Sequence, residues 1–190
     1  MEIGIIGAGK VGQTLGKRWA NINHRVTFGV RNLEKYVNLN DFVNISVKNI
    51  PDVVSTHGLL VITVPGSTVG NVVVSMGNLA NKTIIDATNM FGMKKLIEIA
   101  PNANFVKAFN TIGIEIMSNP HFKTEKATLL ICGEHKSSLD ITAELANDLG
   151  FNPLILDDFS FVSDIENFAL LWIKMSRKIG REFAFKLLTR

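Results

Sequence analysis

Cysteine is nearly absent from this chain of 190 residues, which contains only Cys132. One cysteine cannot build a disulfide framework, so a reducing compartment is the simplest expectation. The same scarcity argues against a metal site, because the sequence holds no cysteine cluster and no pair of histidines at ligand spacing. Cys132 stands in an apolar run and is expected to be a small buried side chain.

Long hydrophobic runs are lacking as well. The longest apolar stretch near the C-terminus, residues 168–173, is far below the roughly 20 residues that span a bilayer. The N-terminus begins with a strand-like segment and shows neither a basic region nor a cleavage site. We therefore expect a cytoplasmic protein without a membrane partner.

A strong excess of one charge is also missing, since the formal net charge is +3. This mild excess suits an anionic cofactor, and no aromatic platform is interleaved with the basic residues, so we expect no nucleic-acid partner. The last predicted helix carries a basic stripe at helical spacing, made of Lys174, Arg177, Lys178 and Arg181. A solvated face is the favoured interpretation, and attraction of an anionic cofactor tail is the alternative.

A glycine-rich turn near the N-terminus is the most informative feature that is present. Residues 1–6 form an apolar run typical of a buried strand, and residues 11–21 carry apolar side chains at helical spacing. The motif Gly7-Ala8-Gly9-Lys10-Val11-Gly12 lies between them, in the strand, turn and helix context that dinucleotide-binding proteins use.

Each glycine of the motif has its own physical task. Gly7 allows the tight turn, Gly9 lets a pyrophosphate approach the backbone, and Gly12 lets the helix pack closely on the strand. The phosphates would lie on free amide groups at a helix N-terminus, where the helix dipole favours negative charge. A turn without a ligand is the alternative, but it would not need three glycines at this spacing.

The end of the second predicted strand, residues 25–29, indicates which dinucleotide is bound. An enzyme that uses NAD would carry an acidic residue there to hold the ribose 2′-hydroxyl, but this sequence has no acid before Glu34. Arg31 would instead pair with a 2′-phosphate through its planar guanidinium, and Lys35 adds a second positive charge. The sequence thus favours NADP(H); the alternative is that both are solvated loop charges.

Strand and helix patterns alternate along the rest of the chain, which predicts an α/β fold with a doubly wound, mostly parallel Rossmann sheet. The further predicted strands span residues 44–47, 59–64, 83–87, 104–108, 126–132 and 153–156. The further predicted helices span residues 50–58, 68–76, 137–149 and a C-terminal segment from 159 onward. We expect an NADP-binding domain at 1–120, and a small C-terminal α/β extension with the terminal helix at 121–190, packed on the same sheet.

The predicted strand ends carry no general base. Residues 63–65, 88–89 and 109–111 are small, apolar, hydroxyl or amide residues, which offer hydrogen bonds to a carboxamide and a ribose but no proton transfer. None of the four histidines follows such a strand end, so His24, His57, His121 and His135 are expected to be surface or capping residues. We therefore predict no catalytic side chain, with His121 as the histidine to test.

The predicted C-terminal helix is unusually apolar. Six of its residues recur close to helical spacing: Phe161, Ile165, Phe168, Leu171, Trp172 and Met175. One small domain does not need this much apolar surface, so a subunit or a ligand is expected to cover part of it. We predict a homodimer through this helix.

With these residues in hand, the chain resembles the NADPH-dependent reductases that act with the deazaflavin coenzyme F420. The matching stretches are residues 4–12, Arg31 with Lys35, 86–89, 107–113, 143–151 and 169–173, of which Lys107-Ala108-Phe109-Asn110-Thr111 is the most specific. The nucleotide module also resembles the cytosolic part of the six-transmembrane metalloreductases.

The resemblance implies contacts from Arg31, Asn32 and Lys35 to the 2′-phosphate. It further implies contacts to the rest of NADP(H) from Ala8, Lys10, Val11, Thr63, Val64, Pro65, Ala87, Asn89, Ala108, Phe109 and Asn110. The chain departs from the family at Val30, where a serine that helps to bind the 2′-phosphate is common.

These observations predict an oxidoreductase that transfers hydride between NADP(H) and a deazaflavin, a flavin or a similar small redox acceptor. Such an acceptor stabilises the transferred charge on its own ring, which agrees with the missing base. A small keto substrate is disfavoured, because the chain after the sixth strand is too short for the long helical domain that completes such pockets. The alternative function is a module that senses NADP(H) or docks to a partner without turnover of its own.

Overall fold

A computed structural model describes residues 1–89 and 92–190 of the chain. Its main sheet comprises β1 (Glu2–Ile6), β2 (Arg25–Val30), β3 (Ile45–Asn49), β4 (Leu59–Ile62), β5 (Thr83–Asp86), β6 (Asn104–Lys107), β9 (Thr128–Gly133) and β10 (Asn152–Leu156). Strands β7 (His121–Phe122) and β8 (Glu125–Lys126) form a separate small hairpin.

Seven α-helices connect or flank the strands of the described chain. They are α1 (Lys10–Asn21), α2 (Ile50–Thr56), α3 (Val69–Ser75), α4 (Met93–Ile99), α5 (Ile114–Ser118), α6 (Lys136–Asp148) and α7 (Val162–Ile179). Two short 3-10 helices span Glu34–Asp41 and Phe159–Phe161.

The strand order of the main sheet is β10-β9-β6-β5-β4-β1-β2-β3. All neighbours pair in parallel except β6 and β9, which are antiparallel. The order from β3 to β6 is that of a Rossmann fold, whose chain reverses direction across the sheet between β1 and β4. The predicted fold class is thereby confirmed, and the crevice above β1 and β4 is where such folds hold their ligands.

Apolar packing on both faces holds the central strands. Every residue of β4 and β5 is buried, and so are all residues of β1 after Glu2. One core lies under α1 and α6, where Trp19 and Leu145 are fully buried, and the other lies under α3, α4 and α7. Strands covered on both faces have continuous apolar sequences, which is the pattern that made these segments predictable.

The C-terminus differs from its prediction. The helix predicted from residue 159 onward ends at Ile179, because Gly180 adopts a φ of 88° and terminates it. The residues after Gly180 fold back toward β9, where the Thr128 N–H donates to the Phe185 carbonyl at 2.9 Å. The Phe183 ring stacks on Trp172 at 5.3 Å between centroids, so this tail itself covers part of the apolar surface of α7.

Two of the four histidines are buried rather than on the surface. His57 caps the end of α2, where its Nδ1 lies 3.0 Å from the Val53 carbonyl. His24 lies between the N-terminal amine of Met1 and the carboxylate of Asp148, each 3.0 Å from one ring nitrogen. Both histidines therefore have structural partners away from the crevice.

Candidate functional site

The turn between β1 and α1 forms the first wall of the candidate site. Gly7 has a φ of 104° and donates its N–H to the Gly29 carbonyl at 3.0 Å, which ties the turn to the end of β2. Gly9 begins α1, and no side chain of the described residues caps this helix N-terminus. The first amide groups of α1 are thus available to an anion, as the sequence predicts.

Gly12 allows α1 to pack directly on the turn. A Cβ at this position would lie 2.3 Å from the Gly7 carbonyl oxygen and 2.6 Å from Thr63 Oγ1. The Thr63 hydroxyl donates to that same carbonyl at 2.9 Å, so neither neighbour can move without disturbing the other. This contact agrees with the close packing expected of the third motif glycine.

Gly12→Ala should therefore destabilise the fold. We expect a loss of about 2 kcal/mol or more in the free energy of unfolding, because the methyl group meets backbone and cannot be accommodated by a side-chain rotation. Chemical denaturation of the variant and the unmutated protein measures this difference. An unchanged denaturation midpoint would contradict the close packing of α1 on the turn.

At Gly9, in contrast to Gly12, the fold has room for a side chain. No described atom lies within 4 Å of a Cβ built on Gly9, and its φ of −74° suits any residue. The fold itself gives no reason for a glycine here. A group that approaches the turn from outside would explain it, and a pyrophosphate is what the motif predicts.

A cleft of about 360 Å³ runs from this turn across the carboxyl ends of β1, β2 and β4. Nine of the predicted cofactor residues line it: Gly7, Ala8, Gly9, Arg31, Asn32, Lys35, Thr63, Val64 and Pro65. Val30, where the chain departs from the family, lines the cleft as well, and so do residues that the sequence did not single out: Gly29, Tyr36, Ile50, Thr68 and Val72. Two of these, Ile50 on α2 and Val72 on α3, are apolar residues that only the packing of those helices reveals.

The end of β2 supplies the positive charge of the cleft. Arg31 and Lys35 are both exposed, and neither forms an ion pair with a described carboxylate. The Asn32 side-chain oxygen accepts the Lys35 N–H at 3.1 Å, which fixes the turn that carries both cations. Two uncompensated cations on one short turn favour a bound anionic group.

A second, wider cleft of about 630 Å³ opens on the other side of residues 8–9. Lys10 lines this cleft together with Lys17, Arg18 and Lys35, and no acidic residue lines it. Arg18 is held in place because it donates to the carbonyls of Met117 at 2.7 Å and Leu149 at 2.8 Å. The surroundings of the glycine turn are thus positive on both sides.

The other predicted residues line neither cleft: Val11 and Gly12 lie on α1, and the last five lie at the ends of β5 and β6. Ala87, Ala108, Phe109 and Asn110 are buried, and Asn89 is half-buried. The Phe109 ring packs edge-on against Trp19 and Phe151, with centroids 5.8 and 6.2 Å away. Its side chain therefore faces the core, and only its backbone, at a φ of 63°, is left for a ligand.

Unpartnered polar atoms mark this same edge of the sheet. Both side-chain polar atoms of Asn110 and the Thr88 hydroxyl are buried and have no hydrogen-bond partner among the described residues. Unpaired buried polar groups are costly, so their occurrence on neighbouring strand ends is a reason to expect a polar ligand there. A carboxamide would satisfy both the donor and the acceptor of an asparagine side chain.

A buried charged cluster lies directly behind these residues, and the sequence analysis missed it. Asp86 and Lys107 are the last residues of β5 and β6, stand opposite each other in register, and are fully buried. Lys107 Nζ lies 2.8 Å from Asp86 Oδ2 and 3.5 Å from Glu166 Oε1 on α7. The strands end before the uncharged residues on which the prediction was based, so charged residues do stand at this edge.

Cys132 is buried and lines neither of the two clefts. Burial raises the pKa of the Cys132 thiol to about 12, with the charges of Asp158 and Glu134 adding to the shift, so this cysteine stays protonated and is a poor nucleophile. Within residues 1–89 and 92–190, no group of three or more histidine, cysteine or acidic residues could hold a metal ion. None of the described helices is both long and apolar enough to cross a bilayer.

The sheet order, the glycine turn and the cleft at the topological switch point together define a Rossmann-type NAD(P)-binding protein. Residues 2–90 match the family model described as NADP oxidoreductase, coenzyme F420-dependent. The match covers the N-terminal part of the chain, slightly less than half of it, and supports the resemblance to that family predicted from the sequence.

Solved structures resemble the whole chain. A crystal structure from Arthrobacter sp. FB24, whose name assigns it to the F420-dependent NADP reductases, superposes with a TM-score of 0.90 at 22% identity and 100% coverage of both chains. A reductive aminase from Aspergillus terreus in complex with NADPH has a TM-score of 0.75 at 20% identity, covering 94% of this chain and 62% of the aminase. At these identities the likeness establishes the fold.

One curated relative is the metalloreductase STEAP3 of Rattus norvegicus. It is 24% identical over 176 residues, which cover 87% of this chain. The chain spans only 36% of the length of that protein. It thus corresponds to about a third of the metalloreductase.

Proposed function

We propose that this chain is an NADP(H)-dependent oxidoreductase that transfers hydride between the nicotinamide and a deazaflavin, a flavin or a similar small acceptor. One observation carries the proposal: a single cleft joins the open glycine turn to the unpaired cations after β2. An adenosine dinucleotide with an additional phosphate matches both ends of this cleft, because it carries a pyrophosphate and a 2′-phosphate.

Different residues of the site would bind different parts of the cofactor. Arg31, Asn32 and Lys35 would bind the 2′-phosphate, whose charge their side chains complement. The amide groups at the start of α1, at Lys10 and Val11, would bind the pyrophosphate. The strand ends at residues 63–65, 87–89 and 108–110 would receive the nicotinamide half, and the side chain of Asn110 would bind its carboxamide.

When bound, NADPH supplies the hydride, which carries two electrons to the acceptor. The task of the protein is then to hold the two rings at contact distance and to exclude water between them. The acceptor has to bind beside the strand ends, where Asp86 and Lys107 are fully buried and paired with each other. An acceptor that takes hydride without a protein acid fits such a site, since its ring delocalises the charge.

Steady-state oxidation of NADPH with a panel of acceptors tests the proposal. We expect turnover with coenzyme F420, a free flavin or another small planar acceptor, and much slower turnover with NADH as the donor. Tight binding of NADPH without turnover on any deazaflavin, flavin or quinone would contradict the enzymatic function and would favour a sensor or docking module.

We further propose that the protein acts as a homodimer through α7. The C-terminal tail covers Trp172, but Leu170 and Leu171 on the same helix remain 42% and 47% exposed. Neighbouring exposed leucines on a helix are typical of a subunit contact. Sedimentation equilibrium should give twice the mass of one chain, and the mass of a single chain at micromolar concentration would refute the dimer.

A further inference from the structure

The segment that follows β5 is fixed at its beginning by a closed set of hydrogen bonds. The Thr88 N–H donates to Asp86 Oδ1 at 2.9 Å. Lys107 Nζ donates to Asp86 Oδ2 at 2.8 Å and to the Thr88 carbonyl at 2.9 Å. Both backbone groups of Thr88 are thus tied to the buried ion pair, which fixes the backbone at the centre of residues 87–89.

The far end of the same segment is held by a different part of the chain. Glu166 on α7 accepts the Met93 N–H, which begins α4, at 2.9 Å between Oε1 and N. The same carboxylate oxygen lies 3.5 Å from Lys107 Nζ. One side chain therefore links the start of α4 to the cluster that fixes residues 87–89.

Glu166 is the third oxygen-bearing partner of the Lys107 ammonium group. An ammonium group has three donors, and those of Lys107 face Asp86, the Thr88 carbonyl and Glu166. Asp86 and Lys107 are inaccessible to solvent, whereas the side chain of Glu166 is 26% exposed. Glu166 is thus the member of the cluster that is partly open to solvent, and it can be changed without leaving Asp86 unpaired.

We propose that Glu166 is a positioning residue for the nicotinamide half of the cofactor. It acts through Lys107 and the Met93 amide, which hold residues 87–89 in the shape that the nicotinamide contacts require. The unpartnered Thr88 hydroxyl stands on the segment that this cluster fixes, and the unpartnered Asn110 amide stands three residues after Lys107. This inference rests on the proposed function, because it assigns a role to Glu166 in the same cofactor site.

The affinities for two ligands, NADPH and 2′,5′-ADP, distinguish this role from a merely structural one. NADPH reaches both ends of the cleft, whereas 2′,5′-ADP reaches only the adenosine end at Arg31 and Lys35. Glu166→Ala should raise the Kd for NADPH about tenfold and leave the Kd for 2′,5′-ADP within about twofold of the unmutated value. Isothermal titration calorimetry measures both constants on the full chain.

Glu166→Gln provides a second and milder variant. Its amide oxygen still accepts the Met93 N–H, but it carries no charge toward Lys107, so we expect an NADPH Kd between those of the unmutated protein and Glu166→Ala. Glu144 on the exposed face of α6 is the matched control, and its alanine and glutamine variants should change neither Kd.

The outcomes distinguish the two proposals. A selective loss of NADPH affinity in the Glu166 variants supports the positioning role. Equal changes for both ligands, or a lower melting temperature with both constants unchanged, would overturn it and leave the proposed function intact. If the unmutated protein binds neither ligand, the proposed function fails, and the inference fails with it.

Discussion

Gly9→Ala should lower the affinity for NADPH by about a hundredfold or more and leave the thermal stability nearly unchanged. A methyl group on Gly9 projects into space where no described atom lies within 4 Å, so the fold accommodates it. The expected cofactor does not accommodate it, because its pyrophosphate must approach the backbone at this position. Replacing the glycine at the N-cap of α1 costs the fold less than about 1 kcal/mol.

Gly58→Ala is the matched control for this prediction. Gly58 precedes β4, and a Cβ there would also find no described atom within 4 Å, but it lies outside both clefts at the glycine turn. Calorimetric titration and thermal melting of both variants give the comparison. If Gly9→Ala binds NADPH as tightly as the control does, the pyrophosphate does not lie on this turn.

Arg31→Ala should weaken the binding of NADPH by about 10 to 100-fold and should barely change the binding of NADH. The guanidinium group stands unpaired at the end of β2, and a charge-assisted hydrogen bond to a phosphate contributes about 1.5–3 kcal/mol. NADH lacks the 2′-phosphate and therefore loses nothing when this side chain is removed. The ratio of the two dissociation constants is the measured quantity.

A second arginine at the other end of the same strand controls for the loss of charge. Arg25 is exposed at the start of β2, where its Nη1 lies 3.3 Å from Glu2 Oε1. Arg25→Ala should leave the affinities for NADPH and NADH unchanged. Equal losses for NADPH and NADH in Arg31→Ala would contradict the assignment of the 2′-phosphate to this residue. Equal losses in both arginine variants would indicate a general effect of net charge.

The parts of the fold that could be predicted are those in which the information is local. The run from β1 through the glycine turn to α1 is contiguous, and Gly7 and Gly12 meet requirements of the backbone within this same run. The central strands were equally predictable, because strands that are buried on both faces have uninterrupted apolar sequences. The lining of the cleft by residues 63–65 follows directly from that strand order.

Features that depend on distant packing could not be predicted. Helices α4 and α5 were not predicted, and the five residues of α5 are too few for an apolar period to stand out. The C-terminal helix was predicted to continue from residue 159 onward, but Gly180 ends it, and the rings of Phe183 and Phe185 beyond fold back on α7. The contact between Lys107 and Glu166 needs the position of α7 over the sheet, which no local pattern contains.

The pairing of Asp86 with Lys107 could have been predicted from the sequence. Each is the last residue of an apolar strand, and in neighbouring parallel strands such positions face each other. Two opposite charges in that arrangement are expected to pair when the strands are buried. Both residues precede the predicted strand ends at residues 88–89 and 109–111, which are uncharged.

The central claim is that the first turn of the chain holds NADP(H). Isothermal titration calorimetry of the unmutated protein with NADPH and with NADH tests it most directly. We predict saturable binding of one NADPH per chain, at least about tenfold tighter than the binding of NADH. Absence of any heat of binding with NADPH, or equal affinity for the two nucleotides, would contradict the claim.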